Sequence, residues 1–285
     1  MTLLKRLLRL VRFEHTLFAL PFAIMGAFMA ARGWPTPKQL ILILAAMVGA
    51  RTAAMGFNRI VDLEYDRLNP RTQQWELPAG RVTLRQAWLL VIVASAVFFV
   101  AAGLLNWLAF ALSPVALAIV LFYSYTKRFT VLTHVALGLA LSVAPVGAWI
   151  AVTGAFALPP LVLALAVVLW VAGFDIIYAC QDYAFDRATG LFSIPARFGI
   201  ARGLMLSSAL HLGMVMALLA VGVLAWLGWI YYVAVGLTAG FLVYEHRLVT
   251  ASDLSRANAA FFTVNGVVSL LLMTATVADV LLVSG

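Results

Sequence analysis

Apolar runs of eighteen or more residues recur along the whole of this 285-residue chain. A run of that length crosses the ~30 Å hydrocarbon core of a bilayer as a helix. A helix also satisfies every backbone N–H and C=O internally, which hydrocarbon demands. Candidate spans fall at 13–32, 38–60, 84–105, 107–124, 131–153, 158–182, 202–224, 226–246 and 258–282. The sequence therefore predicts an all-α integral membrane protein of nine transmembrane helices, with 1–285 forming a single domain. A mean hydropathy of +1.04 and a charged fraction of 11% exclude an ordinary soluble domain. The first run shows no small-residue cleavage site and reads as a retained helix, not a signal peptide.

Charge tests the count. Nine spans put every Lys and Arg on one side except Arg32, Lys38 and Arg51, that is, sixteen of nineteen. Such an imbalance predicts a multi-pass protein of the inner (cytoplasmic) membrane with a cytoplasmic N-terminus. It also accounts for the net charge of +8 through topology and anionic headgroups, without nucleic acid. The single cysteine, Cys180, allows no intrachain disulfide.

The two long cytoplasmic connections follow spans 2 and 6, and the acidic residues gather there. DLEYDR (62–67) is echoed 120 residues later by DYAFDR (182–187). Seven of the eleven acidic residues lie in or near these two stretches, between 62 and 76 or between 175 and 186: Asp62, Glu64, Asp66, Glu76, Asp175, Asp182 and Asp186. Residues four apart share a helix face, about 6 Å apart along the axis. Asn58, Asp62 and Asp66 then form one polar stripe, with Glu64 and Tyr65 pointing away from it. Asp175, Tyr178, Asp182 and Asp186 form a second. Carboxylates this close to hydrocarbon must face a cavity or one another. Two facing acidic stripes repel unless cations lie between them. All-oxygen ligands favour Mg²⁺ over zinc, and Mg²⁺ keeps positions open for phosphate oxygens. With arginines nearby, the pattern suits a metal-bridged diphosphate. The competing reading pairs the aspartates with Arg59, Arg67 and Arg187 as boundary salt bridges.

These residues resemble a known family. Asn58-Arg59-x-x-Asp62-x-x-x-Asp66 and Asp175-x-x-Tyr178-x-x-x-Asp182-x-x-x-Asp186 are similar to the two signature motifs of the UbiA-type intramembrane aromatic prenyltransferases. RFEHTLFALPF (12–22), NPRT with LPAG (69–80), YSYTKR (123–128), HVALGLALSVAPVGAW (134–149), SIPARFG (193–199) and FFTVNG (261–266) extend the likeness over about residues 10–270. One departure is Trp75, where many members carry a basic residue. The resemblance implies a helical bundle around a central cavity. It implies Mg²⁺-dependent transfer of a polyprenyl group from its diphosphate to an aromatic acid such as 4-hydroxybenzoate, in quinone biosynthesis. A (di)hydroxynaphthoate of menaquinone biosynthesis is the alternative acceptor.

On that reading Asp62, Asp66, Asp182 and Asp186 are the metal ligands. Arg59, Arg71, Lys127 and Arg128 are candidate substrate contacts, with topology-setting charge as the other reading of Lys127 and Arg128. Asn58 holds a ligand or phosphate, Tyr178 faces the allylic cation, and Asp175 positions or deprotonates the phenol. Arg51 lies within an apolar span, seven residues before Asn58, and is assigned to the acceptor's carboxylate. A structural ion pair is its rival role. His134 reads as a helix-end structural residue, and His211 and His246 belong to no recognisable constellation. No nucleotide loop, nucleophile elbow or zinc spacing is present. A cation-coupled transporter is the alternative from another class, disfavoured by acidic clusters on what read as unbroken helices at one face.

Overall fold

The structure, a computed structural model, describes residues 3–11 and 18–283. Among them every regular element is helical. A short basic helix α1 (Leu3–Leu10) precedes α2 (Leu20–Ala31), α3 (Pro37–Val61) and α4 (Leu63–Leu68). Then come α5 (Leu84–Leu105), α6 (Trp107–Thr126), α7 (Thr133–Thr153), α8 (Leu158–Ala179), α9 (Tyr183–Thr189) and α10 (Ile194–Phe198). The chain ends with α11 (Ile200–Leu224), α12 (Trp229–Arg247), α13 (Ala257–Ala259) and α14 (Asn265–Leu282). Seven helices are long and apolar enough to cross a membrane, counting 158–189 and 257–282 as one each. The shorter apolar α2 and the 19-residue α12 stand where the other two spans are expected. Residues 13–17 of the first span lie outside the described residues.

Capping explains where the helices begin. Thr36 Oγ1 accepts from the Gln39 amide while Gln39 Oε1 accepts from the Thr36 amide, and Thr83 and Gln86 repeat the arrangement at α5. Asn106 Oδ1 caps α6 at the Ala109 amide, and its Nδ2 donates to the Ile150 carbonyl of α7. The eighth span starts at Trp229 and not 226, because Trp226 takes a left-handed φ of 57°. Asp279 of α14 then accepts from the amides of Gly228 and Tyr231, capping α12 from a neighbouring helix.

Two interruptions matter more. The sequence predicts unbroken helices through both acidic motifs, and the structure breaks both. Asp62 closes α3 and opens α4 at φ −88°, ψ 7°. Asp182 ends a 3₁₀ turn (Cys180–Asp182) and opens α9 at φ −94°, ψ 7°. The echo in sequence is thus an echo in backbone geometry. A third irregularity is the π-turn Ala260–Val264. Asn265 Nδ2 reaches back to the carbonyls of Ala260 and Phe261, donates to Glu245 Oε1 at 2.8 Å, and Asn265 Oδ1 accepts from Trp170 Nε1 at 2.6 Å.

Small residues set the spacing between helices, as expected where lipid supplies no hydrophobic drive. A Cβ on Gly26 of α2 would meet the Pro145 carbonyl of α7 at 2.5 Å. On Gly49 of α3 it would meet the Ala94 carbonyl of α5 at 2.8 Å, and on Gly138 of α7 the Val168 carbonyl of α8 at 2.6 Å. Backbone cannot yield as a flexible side chain does. Gly138→Ala should therefore push α7 from α8 and cost about 1–3 kcal/mol. Gly147→Ala, where the added atom meets nothing within 4 Å, should leave thermal unfolding in detergent unchanged. Equal melting temperatures for the two variants would contradict the close approach.

Candidate active site

The helix ends that carry the motifs meet at one end of the bundle around a cavity of about 260 Å³. Asn58, Arg59, Asp62 and Asp66 enter from α3 and α4, and Asn69, Arg71 and Trp75 from the loop that follows. Tyr123, Lys127 and Arg128 come from the end of α6, His134 from α7, and Asp175, Tyr178 and Asp182 from the end of α8. Asp186 lies behind this wall with no exposed surface. All twelve residues to which the sequence assigns a metal, substrate or catalytic role are in or against this one region.

Each of the four aspartates has a cation of its own. Arg59 Nη1 lies 3.3 Å from Asp66 Oδ2, and Arg128 Nη2 lies 3.4 Å from Asp62 Oδ1. Lys127 Nζ lies 2.7 Å from Asp186 Oδ1. Arg71 forks onto both oxygens of Asp182 at 3.0 and 2.5 Å and also donates to Tyr178 Oη at 2.8 Å. Asn58 Nδ2 donates to Asp62 Oδ2 at 2.9 Å, so the first stripe survives the helix break. Burial, and then the charge of Asp66, push the Asp62 carboxyl up to about 6. Burial works against the charge of Arg71, but its hydrogen bond to Asp182 and the nearby Tyr178 and Asp182 outweigh this and raise it.

The boundary-salt-bridge reading holds for one of its three arginines. Arg59 pairs with Asp66, but among the described residues Arg67 makes no ion pair, Arg187 donates to Tyr183, and the remaining partners are Arg71, Lys127 and Arg128. Trp75 takes the Arg59 guanidinium against its ring at 4.0 Å and Arg71 at 5.7 Å. The departure from the family pattern thus places an aromatic face among the cations. Tyr65 is a correction. An unbroken helix points it away, whereas the break at Asp62 turns it into the cavity, with Arg128 5.4 Å from its ring. Glu76 leaves the site altogether and binds Arg81 at 2.8 Å.

Sequence reasoning missed Tyr123, Asn69 and the pairing of His134. Asn69 Nδ2 donates to Asp182 Oδ1 at 3.2 Å, tying the first loop to the second motif. His134 Nδ1 lies 2.6 Å from Asp175 Oδ2. A polar residue at a helix end beside a functional loop was the available signal for each.

A second cavity of about 490 Å³ adjoins the first, with Arg51 and Tyr123 in the walls of both. Apolar residues of α3, α5, α6 and α7 form most of its lining. Its two serines, Ser113 and Ser142, turn their hydroxyls to carbonyls of their own helices. Arg51 stands at the seam. Among the described residues it makes no ion pair, and its buried Nε has no hydrogen-bond partner.

The donor set fits Mg²⁺. All four candidate ligands are carboxylates, and Asp62 is crowded by Asp66. No three carboxylate, histidine or cysteine groups converge on one point among the described residues. Mg²⁺ does not require that, since it is commonly held by one or two carboxylates together with substrate phosphates.

A charged pocket adjoining an apolar chamber inside a bundle of long apolar helices defines the class, an integral membrane protein with an internal amphipathic cavity. The particular family follows from comparison. Residues 19–267 match the UbiA prenyltransferase family, and the chain belongs to it. It is 32% identical over 265 residues to the 4-hydroxybenzoate octaprenyltransferase of Nitrosospira multiformis, covering 92% of this chain and 90% of that one. The apo structure of a UbiA homolog from Aeropyrum pernix K1 superimposes with a TM-score of 0.86 at 40% identity, over 94% of this chain and 98% of that one. A UbiA homolog from Archaeoglobus fulgidus bound to GPP and Mg²⁺ gives 0.77 at 25% identity, over 96% and 99%. The protein is therefore a membrane-embedded prenyltransferase, and the transporter alternative falls away.

The ion pairs make a prediction of their own. Lys127→Met would leave a fully buried Asp186 without its counter-charge, costing roughly 3–5 kcal/mol in metal-free protein. Adding Asp186→Asn should recover most of the lost melting temperature. If the double variant is no more stable than Lys127→Met alone, the pair is not what balances Asp186.

Proposed function

We propose that this protein transfers a polyprenyl group from its diphosphate to an aromatic acid, 4-hydroxybenzoate being the leading acceptor, at the cytoplasmic face of the inner membrane. The observation that carries this is the seam at Arg51. A charged cavity and an apolar chamber share that wall, so one donor can lay its diphosphate among the aspartates and its tail in the chamber.

Asp62, Asp66, Asp182 and Asp186 would hold Mg²⁺, which when bound supplies Lewis-acid neutralisation of the diphosphate. Lys127, Arg128, Arg71 and Arg59 already stand at the same carboxylates and can turn to phosphate oxygens. Asn58 keeps Asp62 in its rotamer. The allylic C–O bond then breaks with its electron pair leaving on the diphosphate, and an allylic carbocation remains. Tyr178, its hydroxyl held by Arg71 and its ring stacked 4.3 Å from Phe261, presents a π face to that cation. The electron-rich ring of the acceptor forms the new C–C bond and gives its proton to Asp175. Arg51 forks onto the acceptor's carboxylate.

A (di)hydroxynaphthoate is the second reading of the acceptor. It carries the same two features, a carboxylate and a hydroxylated aromatic ring. The test is purified protein with Mg²⁺, a polyprenyl diphosphate and a panel containing both acids. Product masses identify acceptor and chain length together. Absence of diphosphate release with every acceptor would sink the proposal. Within it, Arg51→Met should raise the acceptor KM by roughly 10-fold or more while leaving the donor KM within about 2-fold. Equal rises in both would remove Arg51 from the acceptor subsite.

A further inference from the structure

The proposed reaction gives Asp175 a proton to take, and a neighbouring ring determines how that carboxylate is held. His134 opens the first turn of α7 and is 1% exposed. Its Nε2 accepts from the backbone N–H of Ile194, at the start of α10, at 3.2 Å. An imidazole nitrogen that accepts a hydrogen bond carries no proton. An imidazolium would set N–H against N–H at this contact. The ring is therefore neutral and its proton is on Nδ1, from which it is donated to Asp175 Oδ2 at 2.6 Å.

We propose that His134 is the positioning residue for Asp175 in the transfer reaction, an inference that rests on the function proposed above. Among the described residues His134 is the hydrogen-bond partner of this carboxylate, which leaves Oδ1 to the cavity. The side chain of Asp175 remains 21% exposed there. Tyr123 on α6, Arg51 on α3 and Tyr178 one turn on along α8 line the same cavity, together with the aspartates and basic residues of the two motifs. A donor on Oδ2 fixes the rotamer of that carboxylate. The ring itself cannot pass the proton onward, because Nε2 is occupied by a backbone N–H. His134 orients the base and is not a relay. The same ring ties α7, α8 and α10 together, so the loop after the second motif is held by the group that aims the base.

A double-mutant cycle tests this on the purified full chain with Mg²⁺, a polyprenyl diphosphate and the accepted aromatic acid. His134→Phe keeps ring volume and loses both hydrogen bonds. It should lower kcat roughly 10–100-fold with the donor KM within about 2-fold. His134→Gln, whose amide can donate to Asp175 and accept from Ile194, should recover kcat to within about 5-fold of the parent. Placed on Asp175→Asn, His134→Phe should cost no more than about 2-fold further. The same fold-loss on both backgrounds, or a His134→Phe kcat within about 3-fold of the parent, would overturn the proposal. If His134→Phe does not fold, ¹⁵N chemical shifts of the four histidines decide the geometry. A neutral ring protonated at Nδ1 that disappears in His134→Gln supports the pairing, and protonation at Nε2 defeats it. No product from the parent protein with any acceptor would sink the transfer reading, whereas additive losses would sink only the role of His134.

Discussion

Four carboxylates at the end of an apolar helix bundle are the constraint around which this molecule is organised. A charge brought this close to hydrocarbon is tolerated only with a partner. Here each aspartate has one, drawn from α3, the loop after α4 or the end of α6. Lys127 and Arg128 are consecutive in sequence yet reach opposite halves of the site, Asp186 and Asp62. The end of α6 thus acts as a clasp between the two motifs. Arg71 and Asn69 repeat the tie from the other direction, reaching from the first loop to Asp182. The folded cavity is close to electrically balanced before any substrate arrives. A diphosphate adds negative charge to that balance, which is the physical reason that the fit to Mg²⁺ matters.

The paired helix breaks fall within the same pairs. Asp66 stays one turn beyond Asp62, its amide bonded to the Asp62 carbonyl, and its charge still bears on that carboxyl. At both breaks the first aspartate sits near φ −90°, ψ 7°, closing one helix and opening the next. The second aspartate of each pair has its own cation, Arg59 for Asp66 and Lys127 for Asp186. The break also turns Tyr65 into the cavity, as no regular helix would.

Much of this was legible in the sequence because hydrocarbon is an exacting solvent. Long apolar runs and the one-sided basic residues fix most helix positions to within a few residues, and α5 to the residue. The acidic pairs stood out because charge is scarce in such a chain. The breaks at Asp62 and Asp182 were not legible, since both segments have helix-compatible residues and the interruption depends on tertiary ion pairs. The partner of each aspartate was hidden for the same reason, with Arg71 and Asp182 111 residues apart. His134 read as a structural residue because a lone histidine at a helix start has no local signature. Only the packing of α7 on α8, set by Gly138, brings it to Asp175. Asn265 was visible inside FFTVNG, but that it supports a π-turn beside the cavity depends on Trp170 and Glu245 from two other helices.

What remains after the four matched pairs is two unmatched groups. Arg51 on α3 has no carboxylate within 4.0 Å, and Asp175 on α8 is held by a neutral imidazole. Both line the same cavity, and among the described residues they do not pair with each other. Each is expensive to leave unsatisfied in a low-dielectric site. On the proposed function, an acceptor that answers both carries an anion at one end and an acidic hydroxyl or ring proton toward the other. A phenol alone would leave Arg51 unanswered, and a simple carboxylic acid would give Asp175 nothing to act upon. A hydroxylated aromatic acid does both at once. On the proposed function, Arg51 and Asp175 therefore describe the acceptor more narrowly than the four paired aspartates do.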